Sequence, residues 1–221
     1  MAFRMLDMEA ACEALRQGRV IIYPTETFYG IGCDALNPDA VGAVYAAKHR
    51  PYRLPLPVIL DDVRHLGRIA AHVYPTAERL METFWPGPLS LIFPATPEVP
   101  DLLTAGSGRI AARLSSHTGA AALCRRAAMI LTASSANISG ALPVTRVAEL
   151  DPALEPAVAG IYDAPPSPAG GVPSTIVDVL PDNSGQGALR ILREGAVSRA
   201  MLLEAGFAVA ASPHGETTST A

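Results

Sequence analysis

The 221-residue chain is short of several things whose scarcity narrows its function. Its three cysteines, Cys12, Cys33 and Cys124, stand far apart and form no CxxC pair. That speaks against a disulfide framework or a zinc knuckle and suits a reducing cytosol. Aromatic side chains make up 5% of the residues, with one tryptophan, too few for a platform on which bases could stack. Charged residues make up 17%, and a net charge of −4 argues against a protein coated in nucleic acid, although it leaves room for a local basic groove. No uninterrupted apolar run approaches the ~18 residues of a membrane span. The opening, MAFRMLDMEAACEALRQG, carries Asp7, Glu9 and Glu13 where a signal peptide would be uncharged. A cytoplasmic protein without a membrane anchor is expected.

Familiar catalytic patterns are missing as well. His49, His65, His72, His117 and His214 make no HExxH or HxH pair, GxSxG is absent, and no GxxxxGK[ST] loop occurs. The glycines of Tyr29-Gly-Ile-Gly32 do not extend to the dinucleotide pattern GxGxxG. Cys33 lies near this segment, but a free cysteine is more often a packing residue than a nucleophile.

What is plentiful is apolar mass and punctuation. Hydrophobic residues reach 49%, with 18 glycines and 20 prolines, as expected of one sizeable core with many fixed turns. Asp7 caps a helix running through Leu15 to a stop at Gly18. Val20–Tyr23 reads as a buried strand, and Asn37-Pro38 opens a helix whose buried face carries Val41, Val44, Tyr45 and the stem of Lys48. Further strands are expected at 55–60, 89–93, 109–114, 129–132, 174–180 and 188–192, the last two paired across the turn at 182–187. Helices are expected from Pro75 through Phe84, over 119–126 and over 198–205. Residues 155–163 fit no single state. Strands and helices mix from end to end, which predicts one α/β domain over residues 1–207 around an open, twisted, mixed β-sheet, with a loose tail over 208–221.

Four segments hold more polar detail than a turn requires. Tyr23-Pro-Thr-Glu-Thr-Phe-Tyr-Gly-Ile-Gly32 offers hydroxyls, a carboxylate, a phenol and two glycines, either as an elaborate connection or as a place where a ligand approaches the backbone. Lys48-His-Arg50-Pro51 ends the second helix, where cations complement the dipole; the same pair could face a polyphosphate, lysine as a point charge and arginine as a fork. Ser134-Ser-Ala-Asn-Ile-Ser-Gly140 leaves a buried strand as either an Asx/Ser turn or a donor-rich anion site. Ser174 and Arg193, on the last strand pair, add a hydroxyl and a cation. The residues by themselves point to a phosphate- or nucleotide-binding α/β domain without covalent catalysis.

Taken together and in order, YPTETFYGIGCDA, KHRP, WPGPLSLIF, IAARLSSH, SSANISG, PSTIVD and ILREGAVS resemble the YrdC family from about Val20 to Ser198. The resemblance implies a YrdC-like fold with a concave basic cavity. It also implies an enzyme, a nucleotidyltransferase, that joins L-threonine, bicarbonate or carbon dioxide, and ATP into threonylcarbamoyl-AMP and pyrophosphate. Mg2+ would come with the ATP. The product would pass to a downstream tRNA-modifying threonylcarbamoyl transferase, with tRNA binding weak or indirect. The roughly twenty residues after Ser198 are expected to leave no room for the extra domain of the family's longer members. By resemblance, Lys48, Arg50, Ser135 and Asn137 match the family's KxR…SxN set and are expected to surround one space, gripping the ATP phosphates and the carbamate. Thr25, Arg113 and Ser174 match threonine-binding positions, with Arg113 on the substrate carboxylate, and Thr145 and Arg193 match positions near ATP. Tyr29 either joins them or only packs.

Departures from the family pattern fall at Leu54 and Ile59, where a Lys or Asn and a His are usual, with Arg53 a substitute for the first. Ser115 and Thr118 replace prolines around His117. They motivate a second reading, a divergent carbamoyl-adenylate former with another acceptor, like the related domain of hydrogenase-maturation carbamoyltransferases. A non-catalytic RNA-binding module is a third, against which the acidic net charge and the few aromatics count.

Overall fold

The structure is a computed structural model and describes residues 3–180 and 187–211. From the N-terminus come β1 (Met5–Leu6), α1 (Met8–Arg16), β2 (Ile21–Pro24), β3 (Tyr29–Gly32), α2 (Pro38–Lys48) and β4 (Val58–Leu60). Next are α3 (Pro75–Phe84), β5 (Leu89–Pro94), the short α4 (Asp101–Thr104), β6 (Arg109–Leu114), α5 (Thr118–Ala127), β7 (Leu131–Thr132) and β8 (Ser134–Ser135). The chain continues through β9 (Ile161–Tyr162), β10 (Thr175–Val179), β11 (Leu189–Arg193) and α6 (Arg199–Glu204).

Most local signals act as their chemistry dictates. The Asp7 carboxylate accepts from the Ala10 amide, Asn37 caps α2 ahead of Pro38, and α1 is followed by Gly18 at φ +71°. The strand pair at the C-terminal end is antiparallel as expected. The turn expected at 182–187 falls, but for Gly187, outside the described residues.

One sheet was expected, and the described residues form two. The first runs β1-β9-β2-β3-β8 and the second β11-β10-β5-β6-β4-β7, both with mixed pairing. The difference arises at Tyr23–Gly32. Polar side chains hide an antiparallel hairpin there, in which Ile21 pairs with Gly32 and Pro24 with Tyr29. Residues 155–163, ambiguous from sequence, resolve into a tight 3-10 segment, Pro152–Ala157, and the two-residue strand β9.

Strand periodicity divides the core. Ile22 faces a large cluster shared with Ile31, Val44, Leu91 and Val177, whereas its neighbours Ile21 and Tyr23 face a smaller one with Leu15, Leu123 and Leu131. In β4 the same alternation sends Val58 and Leu60 to the first cluster and Ile59 to the second. All three cysteines are buried and free.

The sheets are sutured where β7 passes into β8 across the single residue Ala133. Thr132 exchanges hydrogen bonds with Cys33 through its amide (3.0 Å) and hydroxyl (3.1 Å), and the Tyr23 phenol donates to its main-chain oxygen (2.6 Å). Gly32 is required at this crossing because a Cβ would lie 2.1 Å from that same oxygen. The tail expected from residue 208 does not begin there: Val209 bridges Leu189 in parallel, and the Arg199 guanidinium holds the carbonyls of Val209 and Ala210. Among the described residues no helix is long and apolar enough to cross a membrane.

Candidate functional site

A cavity of about 320 Å³ opens where the two sheets meet. The first sheet and its hairpin turn contribute Thr25, Tyr29, Gly30, Ser134 and Ser135, and the second contributes Arg113 from β6, Ile176 from β10 and Arg193 from β11. Arg50 and Ser174 also line the wall.

Each arginine is held by a different local device. Helix α2 ends in a left-handed cap at His49 (φ 50°), which turns the chain so that Arg50 leaves the helix face. The Arg50 guanidinium then donates to the carbonyls of Leu54 (3.1 Å) and Pro55 (2.9 Å), and the Tyr45 phenol braces Leu54 through the same oxygen (2.8 Å). Arg193 lies back on Ser174, donating to its carbonyl at 3.0 and 2.8 Å and to its hydroxyl at 3.0 Å. Arg113 donates through Nε to Glu26 at 2.7 Å. Burial, followed by the charges of Arg113 and Arg50, pulls the pKa of Arg193 below its usual value, and burial does the same to Arg50. Arg193 therefore senses the other two guanidiniums across the cavity.

The structure corrects the expectation that Lys48, Arg50, Ser135 and Asn137 ring a single space. Arg50 and Ser135 line the cavity, but Lys48 and Asn137 do not. Lys48 is 1% exposed; its ammonium donates to the main-chain oxygens of Ser135 and, at 2.6 Å, of Asn137. Its own carbonyl accepts from the Ser139 amide at 2.8 Å, so both ends of the residue stitch the 134–140 loop onto α2. The helical phase that buries Val41, Val44 and Tyr45 carries the ammonium inward with its stem. Burial, and then the nearby Arg50, push the Lys48 pKa down to about 7. Asn137 faces an adjoining groove with Leu142 and Glu149; its amide donates to the carbonyls of Ile138 (2.9 Å) and Ala141 (2.7 Å). The Asn137 Oδ1 is buried without a partner among the described residues. These two residues shape the loop that presents Ser135.

Thr25 lines the cavity, although its hydroxyl is engaged within the turn, donating to the Phe28 carbonyl at 2.7 Å. Ser174 lines it too, beneath Arg193. Thr145 does not; its methyl sits under the 165–173 loop, 2.8 Å from where a Cβ on Gly170 would be. Tyr29 both packs and lines the wall, its phenol donating to Asp163 at 2.6 Å.

The departures resolve unevenly. Ile59 is 0% exposed within the smaller core cluster, so it removes no polar contact from the cavity. Leu54 acts through its carbonyl, which anchors Arg50, and Arg53 is an exposed residue that is not part of the wall. The part of the motive for another acceptor that rested on Ile59 falls with it. Ser115 gains a task, donating to Glu26 at 2.6 Å, and Thr118 starts α5 with its hydroxyl toward the Pro165 carbonyl.

Two residues that the sequence left without a role matter here. Glu26 ties Arg113 to Ser115 from 87 and 89 positions away. His117 accepts from the Ala120 amide through Nδ1 (3.1 Å), which leaves Nε2 to donate to the Pro166 carbonyl (2.7 Å) and pin the 165–173 loop. Glu26 has no local signal, because its partners meet it only in the fold; His117 has a local part, its cap on Ala120, and a contact to Pro166 made only in the fold.

Among the described residues no three His, Cys, Asp or Glu side chains gather as a metal site. The wall offers hydroxyls and guanidiniums, which suit anions, whereas Mg2+ usually takes a carboxylate besides phosphate oxygens. The residues do not fit a resident magnesium.

Fold and cavity define a mixed α/β protein with an arginine-lined cavity at the junction of two sheets. Residues 13–195 match the Sua5/yciO/yrdC family model, described as "Telomere recombination", and the chain belongs to this family. It is 38% identical to the threonylcarbamoyl-AMP synthase of Bacillus subtilis over 173 residues, 78% of this chain but 50% of that relative. It is also 38% identical to the threonylcarbamoyl-AMP synthase of Xylella fastidiosa over 162 residues, 72% of this chain and 87% of the relative. Among solved structures, P. abyssi Sua5 complexed with L-threonine superposes with a TM-score of 0.84 at 28% identity, over 99% of this chain and 66% of that one. The chain thus spans about half the length of the Bacillus relative and most of the Xylella one.

Proposed function

We propose that the protein is an L-threonylcarbamoyladenylate synthase, forming threonylcarbamoyl-AMP and pyrophosphate from L-threonine, bicarbonate or carbon dioxide, and ATP. The observation that carries the reading is the convergence of Arg50, Arg113 and Arg193 on one cavity beside Ser135, in a chain whose relatives bear that name. Threonine's amine captures carbon dioxide; a carbamate oxygen then attacks the α-phosphorus in line. A carbamate–phosphorus bond forms and the bond to pyrophosphate breaks. Negative charge grows on the leaving group, and fixed guanidiniums that need no reorganisation stabilise it. Ser135 and Arg50 face the nucleotide's phosphates, Arg193 with Ser174 closes the opposite wall, and Arg113 receives the amino-acid carboxylate as a planar fork. Mg2+ travels with ATP as part of the substrate. The product is a reactive mixed anhydride, to be consumed by a tRNA-modifying threonylcarbamoyl transferase in the same compartment.

The test is pyrophosphate release by the purified protein with each substrate omitted in turn. Release should require threonine, ATP and bicarbonate together. Equal release with other amino acids, or with carbamoyl phosphate in place of bicarbonate, would overturn the assignment of substrate.

A further inference from the structure

The three cavity arginines are not equivalent. Arg50 and Arg193 give Nε and one terminal nitrogen to main-chain carbonyls, which are neutral, so each keeps a full positive charge. Arg113 gives only Nε, and gives it to a carboxylate. Neither terminal nitrogen of Arg113 bonds to another described residue, so it meets the cavity end-on.

Glu26 is built into place. Its side chain is 11% exposed and that of Arg113 4%. One carboxylate oxygen accepts from Arg113 at 2.7 Å and the other from the Ser115 hydroxyl at 2.6 Å. Its main-chain oxygen accepts from the Ala169 amide (3.3 Å), and that of Thr27 accepts from Gly170 (2.8 Å), which fastens the turn to the 165–173 loop. Burial opposes ionisation of Glu26, but Arg113 and Ser115 outweigh it and hold the pKa below the usual carboxylate value. Glu26 does not line the cavity; it stands behind Arg113.

The two kinds of arginine suit two kinds of anion. A triphosphate, with several charges, is drawn to uncompensated cations. A single carboxylate is recognised by a planar pair of N–H donors and gains less from net charge. We propose that Glu26 is a specificity-determining positioning residue: by pairing with Arg113 it leaves a charge-compensated, end-on fork suited to one carboxylate and keeps polyphosphate on Arg50 and Arg193. This rests on the assignment of threonine and ATP to the cavity.

Calorimetric titration of the full chain with L-threonine and with inorganic tripolyphosphate, separately and together, tests it without needing turnover. The wild type should bind both, neither displacing the other. Glu26→Gln keeps the size of the side chain but frees the Arg113 charge. Its threonine affinity should fall roughly tenfold, because the guanidinium is no longer held end-on, and tripolyphosphate should now compete with threonine. A merely structural role would weaken both ligands and create no competition. Ser115→Ala, which loosens Glu26 but keeps its charge, should weaken threonine by only a few-fold and show no competition; it carries the test if Glu26→Gln does not fold. Wild-type-like threonine binding by Glu26→Gln, or competition in Ser115→Ala, overturns the inference alone. A wild type that binds no threonine overturns it together with the synthase assignment.

Discussion

The ammonium of Lys48 lies 2.6 Å from the main-chain oxygen of Asn137, so the lysine holds up the loop that carries Ser135 and does not itself enter the cavity. Lys48→Met should therefore cost stability as well as activity. The buried Asn137 carbonyl loses its donor, at about 1–3 kcal/mol before relaxation, while the Ser135 carbonyl keeps the Asn137 amide and loses less. Arg50→Ala, which frees carbonyls nearer the surface, should abolish turnover while costing about 1 kcal/mol. Urea unfolding of the two variants, read beside pyrophosphate release, checks the contrast. Equal stability loss in both would contradict it.

The same residue makes stability depend on pH in a stated direction. Unfolded, Lys48 titrates near 10.5; folded, burial and then Arg50 push it down to about 7. Between those values the unfolded chain holds a proton that the folded protein has released. The contribution of Lys48 therefore rises with pH across that window, by at most about 1.4 kcal/mol per pH unit, and is least favourable below pH 7. The stability gap between wild type and Lys48→Met should widen from pH 7 to pH 9. A gap that stays constant would place the lysine's pKa at its ordinary value.

Gly30 and Gly32 occupy one strand with opposite tolerance. A Cβ at Gly32 would meet the Thr132 carbonyl at 2.1 Å, a backbone atom at the crossing between the sheets. At Gly30 it would meet the Thr25 methyl and the Tyr23 ring at 3.5 Å, ordinary contact distances. Gly32→Ala should cost about 3 kcal/mol or more, and Gly30→Ala less than about 1 kcal/mol. Thermal melts of both variants decide; comparable melting temperatures would count against the suture.

Ala128 closes α5 in a left-handed conformation, φ 58°, at an exposed position. Glycine adopts this conformation without a Cβ clash, so Ala128→Gly should stabilise the protein by about 0.5–1 kcal/mol with unchanged kinetics. A lower melting temperature would show that the cap is not strained.

How far the sequence went depends on the range of each interaction. Caps such as Asp7 and Asn37 act within three residues and were legible. The β10–β11 pair was legible because apolar runs flank a turn. The hairpin at Tyr23–Gly32 was not, since its strand residues are interleaved with glycines and polar groups whose partners lie in β8 and β7. Arg50, Arg113, Ser135, Ser174 and Arg193 were found through motif order and do share a cavity. Lys48 was placed on a buried helix face and also, by resemblance, in the cavity; the fold satisfies only the first, because the loop's carbonyls reach inward to its ammonium. Glu26 lay within a quoted motif, yet its partners are Arg113 on β6 and Ser115 just after it, and no local pattern could join them.

The central claim is that the arginine-lined cavity makes a carbamoyl-adenylate of threonine, and the most direct measurement is mass spectrometry of the product formed from 13C-labelled bicarbonate, threonine and ATP. The account predicts threonylcarbamoyl-AMP carrying one labelled carbon, in equal amount to pyrophosphate, with none formed by Arg50→Ala. Pyrophosphate accompanied by unlabelled adenylate, or labelled product undiminished in Arg50→Ala, would contradict it.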